Sequence, residues 1–179
     1  MTFRVRIVVS AVLLLVLGTL WWLKAGEGRC PIITSTKTVQ GSSLSGFIEN
    51  GQKITVKEGY YQCSPVERGD VVIYNYAGTT PLIKVVKGIA EDSFALQQVS
   101  KGKYYIVLDG QVAQNNSGQP YIIGSDQYAM LSLYVRDFKG VIPKDSYLIM
   151  GNLRGGSSDS SEFGLVAKQD LIGKVTRIR

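Results

Sequence analysis

Beyond residue 30 this chain of 179 residues has no long stretch with helical periodicity. Short runs rich in Val, Ile and Tyr recur instead, separated by Gly, Asn, Asp and Pro. They are KITVKEGYY (53–61), DVVIYNY (70–76), LIKVVKGI (82–89), SFALQQV (93–99), KYYIVLDG (103–110), YAMLSLYV (128–135), DSYLIMG (145–151) and LIGKVTRI (171–178). Many short strands at this spacing predict a mainly β domain, an antiparallel β-sheet fold of sandwich or barrel-like form. LDGQVAQNNSGQPYI reads as a hairpin excursion, with turns at Asp109-Gly110 and at 115–118. Residues 115–127 are expected to be a flexible insertion. No internal repeat or low-complexity tract is present.

Ahead of these runs, Arg4 and Arg6 precede IVVSAVLLLVLGTLWWL, the 17 uncharged residues from Ile7 to Leu23. As a helix this stretch is about 25 Å long, at the short end for crossing a bilayer. Trp21 and Trp22 close it, where amphipathic rings anchor at the headgroup level. A cleaved signal peptide needs small residues at the −3 and −1 positions, and KAGEGRC offers no such site. Nor is Cys30 preceded by the Leu and small residues that lipid attachment needs. The expected organisation is a short cytoplasmic tail (1–6), a transmembrane anchor helix (7–24), a juxtamembrane linker (25–36) and a catalytic domain (37–179). The expected location is the cell membrane, single-pass, with the domain on the extracytoplasmic side. Disulfides are tolerated there. Pairing of Cys30 with Cys63 would close a loop of about 33 residues, rated at roughly 3–4 kcal/mol. The alternative, two unpaired small apolar side chains, stands beside it.

There is no histidine in the chain. Ser-His-Asp and Cys-His arrangements within it are therefore excluded, and so is the commonest zinc ligand. No metal or cofactor is implied. Nucleophilic chemistry here needs another base, and lysine is the usual substitute. The formal net charge of +6 serves solubility in the bland reading and contact with anionic lipid in the sharper one. Nucleic acid is not an expected partner, because the lysines are spread out and no basic-aromatic block exists.

Three segments hold the residues able to carry chemistry: GSSLSGFIENGQ (41–52), RGDVVIYNYAGTTPLIKVVKGIAED (68–92) and LIMGNLRGGSSDSSEFGLVAKQDLIGKV (148–175). Taken alone, the first is a polar loop with three serines. In the second, Lys84 interrupts the apolar run PLIKVV. By strand alternation it shares a face with Leu82 and Val86, while Lys87 lies opposite with Ile83 and Val85. Burial lowers a lysine pKa and yields a neutral amine able to take a proton from serine. Composition alone favours the plainer reading, in which both lysines snorkel from an edge strand. The third segment is a loop of Ser and Gly around Asp159.

Together, in this order and spacing, the three segments resemble the type I signal peptidase family, over roughly residues 37–178. Its first box, Ser-Met-x-Pro-Thr-Leu-x-x-Gly-Asp, aligns with Ser43 to Gln52, and Arg68-Gly69-Asp70-Val71-Val72 matches closely. The lysine box, Lys-Arg-Val-x-Gly-x-Pro-Gly-Asp, aligns with Lys84 to Asp92. The last box, Gly-Asp-Asn-Arg-x-x-Ser-x-Asp-Ser-Arg-x-aromatic-Gly, spans Gly151 to Gly164, with Ser157, Asp159, Ser160, Phe163 and Gly164 matching. Asp170 to Val175 is similar to the family's closing strand. The resemblance implies Ser43 as nucleophile, Lys84 as general base, and Ser157 and Asp159 as orienting residues. It also implies an oxyanion site of backbone N–H groups at Ser43 and Gly41.

The implied partners are preproteins with small side chains at −1 and −3, together with membrane lipid, and the protein is expected to be a monomer. Several positions depart from the pattern. Gly46-Phe47 replaces Pro-Thr, and Ala90-Glu91 replaces Pro-Gly. Asn152 stands for Asp. Ser161 stands for the Arg expected beside Asp159, although Arg154 is retained. Rival readings are a pilin-type maturation peptidase of the same chemistry, a self-cleaving repressor-like protein, which the apolar N-terminus disfavours, and an inactive membrane-tethered β-domain that binds partners.

Overall fold

Strands form where the Val, Ile and Tyr runs predict them, with one exception. The computed structural model describes residues 30–76, 80–153 and 157–178. The anchor read at 7–24 and the retained Arg154 lie outside the described residues. No helix among the described residues is long and apolar enough to cross a membrane.

The strands are β1 (Ile33–Thr38), β2 (Lys53–Glu58), β3 (Val71–Tyr74), β4 (Leu82–Gly88), β5 (Phe94–Ser100), β6 (Lys103–Leu108), β7 (Gln111–Val112), β8 (Ile122–Ile123), β9 (Ser146–Met150), β10 (Val166–Ala167) and β11 (Leu171–Ile178). Among the described residues the α-helices are α1 (Ser125–Asp137) and α2 (Ser160–Phe163). A seven-stranded sheet runs β1-β2-β11-β3-β4-β9-β10, and a four-stranded sheet runs β5-β6-β7 with β8 also paired to β6. Every pairing is antiparallel. The mainly β, antiparallel expectation therefore holds.

The large sheet is covered on both faces. Alternate residues of one strand point to opposite sides, and β3 sorts them so. Val71 and Ile73 pack with Ile54, Val56, Val85 and Val175. Val72 packs with Val86, Ile149, Tyr61 and Leu171. The small sheet has one covered face, where Phe94, Ile106 and Leu108 meet Leu131 of α1 and Leu148 and Met150 of β9. Tyr104 stacks on Tyr128 of α1 with ring centroids 3.9 Å apart.

Two expectations need correction. YAMLSLYV (128–135) is not a strand; it lies inside α1. Its apolar run is nearly continuous, and such a run does not distinguish strand from helix by periodicity. Tyr128, Leu131, Tyr134 and Val135 recur at helical spacing and pack into the small-sheet core. Gln127 marks the helix start, its Oε1 accepting the Gly124 N–H at 2.8 Å. Residues 115–127 are likewise not a loose excursion. Asn115 and Tyr121 are buried, and the segment leads through β8 into α1.

Two further features complete the comparison. β1 begins at Ile33, within the stretch read as linker. Its polar sequence ITSTKT gave no strand signal, being an edge strand exposed along nearly its whole length. The turn at Asp109-Gly110 forms as expected, with φ of 49° and 73°, the pair of positive values that a two-residue hairpin turn requires.

Candidate active site

GSSLSGFIENGQ is a loop pinned at both ends. Val39 N–H donates to Gln52 O at 2.9 Å, and Gly51 N–H donates to Val39 O at 2.9 Å. Leu44 and Ile48 drop from it into the large-sheet core. Between them, Ile48 N–H returns to Leu44 O at 2.8 Å. The buried leucine fixes the backbone on which Ser43 stands, and Ser43 itself is half-buried. Ser42 is exposed and Ser45 half-buried; their backbones close a turn, Ser45 N–H to Ser42 O at 2.9 Å. The Gly41 N–H donates to Asn50 Oδ1 at 3.0 Å. Of the two backbone donors expected to form an oxyanion site, Gly41 is thus engaged. The Ser43 N–H has no partner among the described residues.

Lys84 is not on an edge. β4 lies between β3 and β9, and Lys84 pairs across to Val72. The side chain is 2% exposed, so the snorkelling reading fails for it. Its ammonium form loses hydration there, and burial pulls the amine pKa below the ordinary lysine value. The negative charges of Asp159 and Glu162 act against this, as the smaller effect. Lys84 Nζ donates to Ser157 Oγ at 2.9 Å. Among the described residues no hydrogen bond joins Lys84 Nζ to Ser43 Oγ. Lys87, on the other face, is half-buried and donates to Asn116 Oδ1 at 2.7 Å.

Gly151 brings the pieces together. A Cβ at this position would collide with Ser157 Oγ and come within 2.8 Å of Ser43 O, so only glycine lets both backbones approach. Gly151 N–H donates to Asp159 Oδ2 at 2.9 Å, and its carbonyl accepts from Tyr121 OH at 2.7 Å. Asp159, 3% exposed, also accepts from Ser161 N–H at 3.0 Å and from Ser161 Oγ–H at 2.8 Å. The serine standing where the family pattern has arginine therefore satisfies the carboxylate with neutral donors. Ser160 Oγ accepts from Ile149 N–H at 2.9 Å, tying this turn to β9.

Residues to which the sequence assigned no role at the site also reach this point. Asn152 N–H donates to Ser43 O at 2.7 Å, and Asn152 Nδ2 donates to Ser45 O at 2.8 Å. Asn115 Nδ2 donates to Asn152 O at 2.7 Å. These bonds join positions far apart in the chain, and no periodicity signals them.

Beside this cluster is a cleft of about 240 Å³, lined by Val39, Ile54, Ile73, Ile83 and Ile172 with Lys37 at its side. Val39 and Gln40 lead directly into Gly41, and Ile83 directly precedes Lys84. Larger hollows lie by Tyr61 and Lys144, about 670 Å³, and by Arg68 and Lys87, about 850 Å³. None of the three is lined by Ser43, Lys84, Ser157 or Asp159, but of these only the small cleft has lining residues that lead within two positions to Gly41 and Lys84 together. Neither cysteine is a free thiol; Cys30 and Cys63 are both disulfide-bonded.

The pattern of the family described as "Signal peptidase, peptidase S26" matches residues 6–178. Signal peptidase IB of Staphylococcus aureus (strain COL) is 26% identical over 151 residues, covering 80% of this chain and 76% of the relative. A probable signal peptidase I-2 of Synechocystis is 24% identical over 170 residues, covering 86% of this chain and 71% of the relative. A solved signal peptidase I from Enterococcus faecalis V583 aligns with 63% of this chain and 98% of its own length, at TM-score 0.37 and 17% identity. That last likeness is too low to carry weight.

Proposed function

This chain belongs to the signal peptidase family, peptidase S26, and on that premise we propose that it cleaves signal peptides from exported preproteins with a Ser43–Lys84 dyad. The observation that carries the reading is the state of Lys84. A lysine 2% exposed, within an interior strand and held by a serine hydroxyl, is costly unless its amine is used neutral.

In this reading one N–H of the neutral amine is committed to Ser157 Oγ, which orients the nitrogen lone pair. Lys84 takes the proton from Ser43 Oγ as that oxygen attacks the scissile carbonyl. The oxyanion is met by the Ser43 N–H, the backbone donor left over once Gly41 is engaged. Lys84 returns its proton to the departing amine as the C–N bond breaks, leaving an acyl-enzyme. It then deprotonates a water that releases the acid product and frees Ser43. The cleft beside Val39 and Ile83 is small and apolar, and it suits the short side chains at −1 and −3. Asp159 is a structural acceptor that holds Gly151 and the Ser157 turn, and its charge opposes the depressed amine pKa. Membrane anchorage through residues 7–24 would keep this site where signal sequences emerge, raising effective concentration. Paired cysteines suit an extracytoplasmic location.

The test is cleavage of a preprotein with small residues at −1 and −3, in detergent or liposomes, beside Ser43→Ala and Lys84→Ala. Wild type is expected to cut after the signal sequence and both variants to be inert. Equal cutting by either variant sinks the dyad.

A further inference from the structure

Asn152 hydrogen-bonds in two directions, through both its backbone and its side-chain amide. Toward the Ser43 loop, its N–H donates to Ser43 O at 2.7 Å and its Nδ2 donates to Ser45 O at 2.8 Å. Toward the 115–121 segment, its Oδ1 accepts from Asn116 N–H at 2.8 Å and its carbonyl accepts from Asn115 Nδ2 at 2.7 Å. The residue is 4% exposed. An aspartate, the residue of the family pattern, has no side-chain donor when ionised. It would set a carboxylate oxygen against the Ser45 carbonyl.

Gly46 meets the same group from the other side. Its φ of +83° is closed to proline, whose ring fixes φ near −65°. Its N–H is also in use, donating to Glu49 Oε1 at 2.7 Å. A Cβ at Gly46 would sit 3.3 Å from Asn152 Nδ2 and 3.8 Å from Ser117 Oγ. Two departures from the family pattern, over a hundred residues apart in sequence, are therefore in contact.

We propose that Asn152 is a positioning residue which, paired with Gly46, clamps the Ser43 loop to the 115–121 segment and so sets the direction of the nucleophile. This rests on the reading of Ser43 as nucleophile. The left-handed turn at Gly46 presents the Ser45 carbonyl to the Asn152 amide. The amide's oxygen is held in turn by the Asn116 N–H, so it cannot flip without losing both bonds.

The experiment compares full-length Asn152→Asp, Asn152→Ala, Gly46→Ala and the double variant Gly46→Ala/Asn152→Asp, in detergent, on the same preprotein. Asn152→Asp is expected to lower kcat by about 10–100-fold with KM nearly unchanged, the effect of a misaimed rather than missing nucleophile. The double variant is expected to lose less than the product of the single losses, because both act on one contact. Amide hydrogen exchange supplies a readout independent of turnover. Asn152→Asp should speed exchange in residues 43–48 while 115–119 stays protected, since the side-chain acceptor persists; Asn152→Ala should loosen both. Multiplicative losses, a change confined to KM, or exchange raised uniformly through the core would overturn the clamp. If wild type cuts no preprotein, the proposed function falls and the exchange pattern alone decides the clamp.

Discussion

Lys84 and Lys103 both stand in strands rich in apolar residues, yet one is almost fully buried and the other is exposed. The difference lies in the sheets. The large sheet packs side chains on both faces, and Lys84, in its interior strand β4, is held away from bulk water. The small sheet packs only the face toward α1 and β9; the rest of β5 and the start of β6 meet solvent. A lysine there keeps its hydration. Double coverage is what turns an ordinary ammonium into a candidate base, and the candidate chemistry lies on the sheet that has it.

This contrast can be broken in stages. Lys84→Met should cost the most, about 10⁴-fold in kcat/KM, the upper range for general-base removal. Its melting temperature at neutral pH should hold or rise, because an apolar side chain replaces a desolvated amine. A marked fall in stability would mean that the buried amine is chiefly structural. Leu131→Ala should do the reverse. Leu131 is 0% exposed in the small-sheet core, and its truncation should cost about 2–5 kcal/mol in denaturant unfolding. The kcat of the folded fraction should barely change; a large loss would show that the small sheet carries chemistry too.

Ser157→Ala sharpens the comparison within the large sheet. It removes the amine's hydroxyl partner and should lower kcat by about 10–100-fold through misorientation. Single-turnover cleavage would check this, and an unaffected rate would remove Ser157 from the site. The smallest effect concerns pH. The Lys84 pKa is lower in the folded chain than in the unfolded one, so between the two values the unfolded chain binds more protons. Stability should rise with pH through that window and level off above the ordinary lysine value of 10.5. The activity limb should rise in the same direction, with a midpoint below that value. Thermal melts across pH should show a slope that Lys84→Met flattens. An unchanged slope in the variant assigns the titration to another group.

The sequence made the interior strands legible because each carries a Val- or Ile-rich run bounded by turn formers. The edge strand β1 was silent, since an exposed strand needs no apolar side chains. Helix α1 was misread because a dense apolar run hides its period, although Gln127 three residues after Gly124 was an available start signal. Ser43, Lys84, Ser157 and Asp159 were named from the order of the family boxes; composition argued for loops and a snorkelling lysine. The fold brings Lys84 to Ser157, and Ser157 to Gly151 beside the Ser43 carbonyl. Asn152, Asn115 and Tyr121 were beyond reach, because their roles exist only once distant segments meet.

The position of β11 has a consequence for timing. Strand β11 is not at an edge; it lies between β2 and β3. A chain is made from its N-terminus, and domains generally fold as units. Here the first two strands cannot join the rest of the large sheet until residues 171–178 arrive to bridge them. Val175 must also complete the core beneath the Ser43 loop. Pairings of such long sequence separation fold slowly. The core beneath the Ser43 loop would thus stay unfinished until residues 171–178 are in place, and a chain lacking β11 is expected to lose the proposed activity.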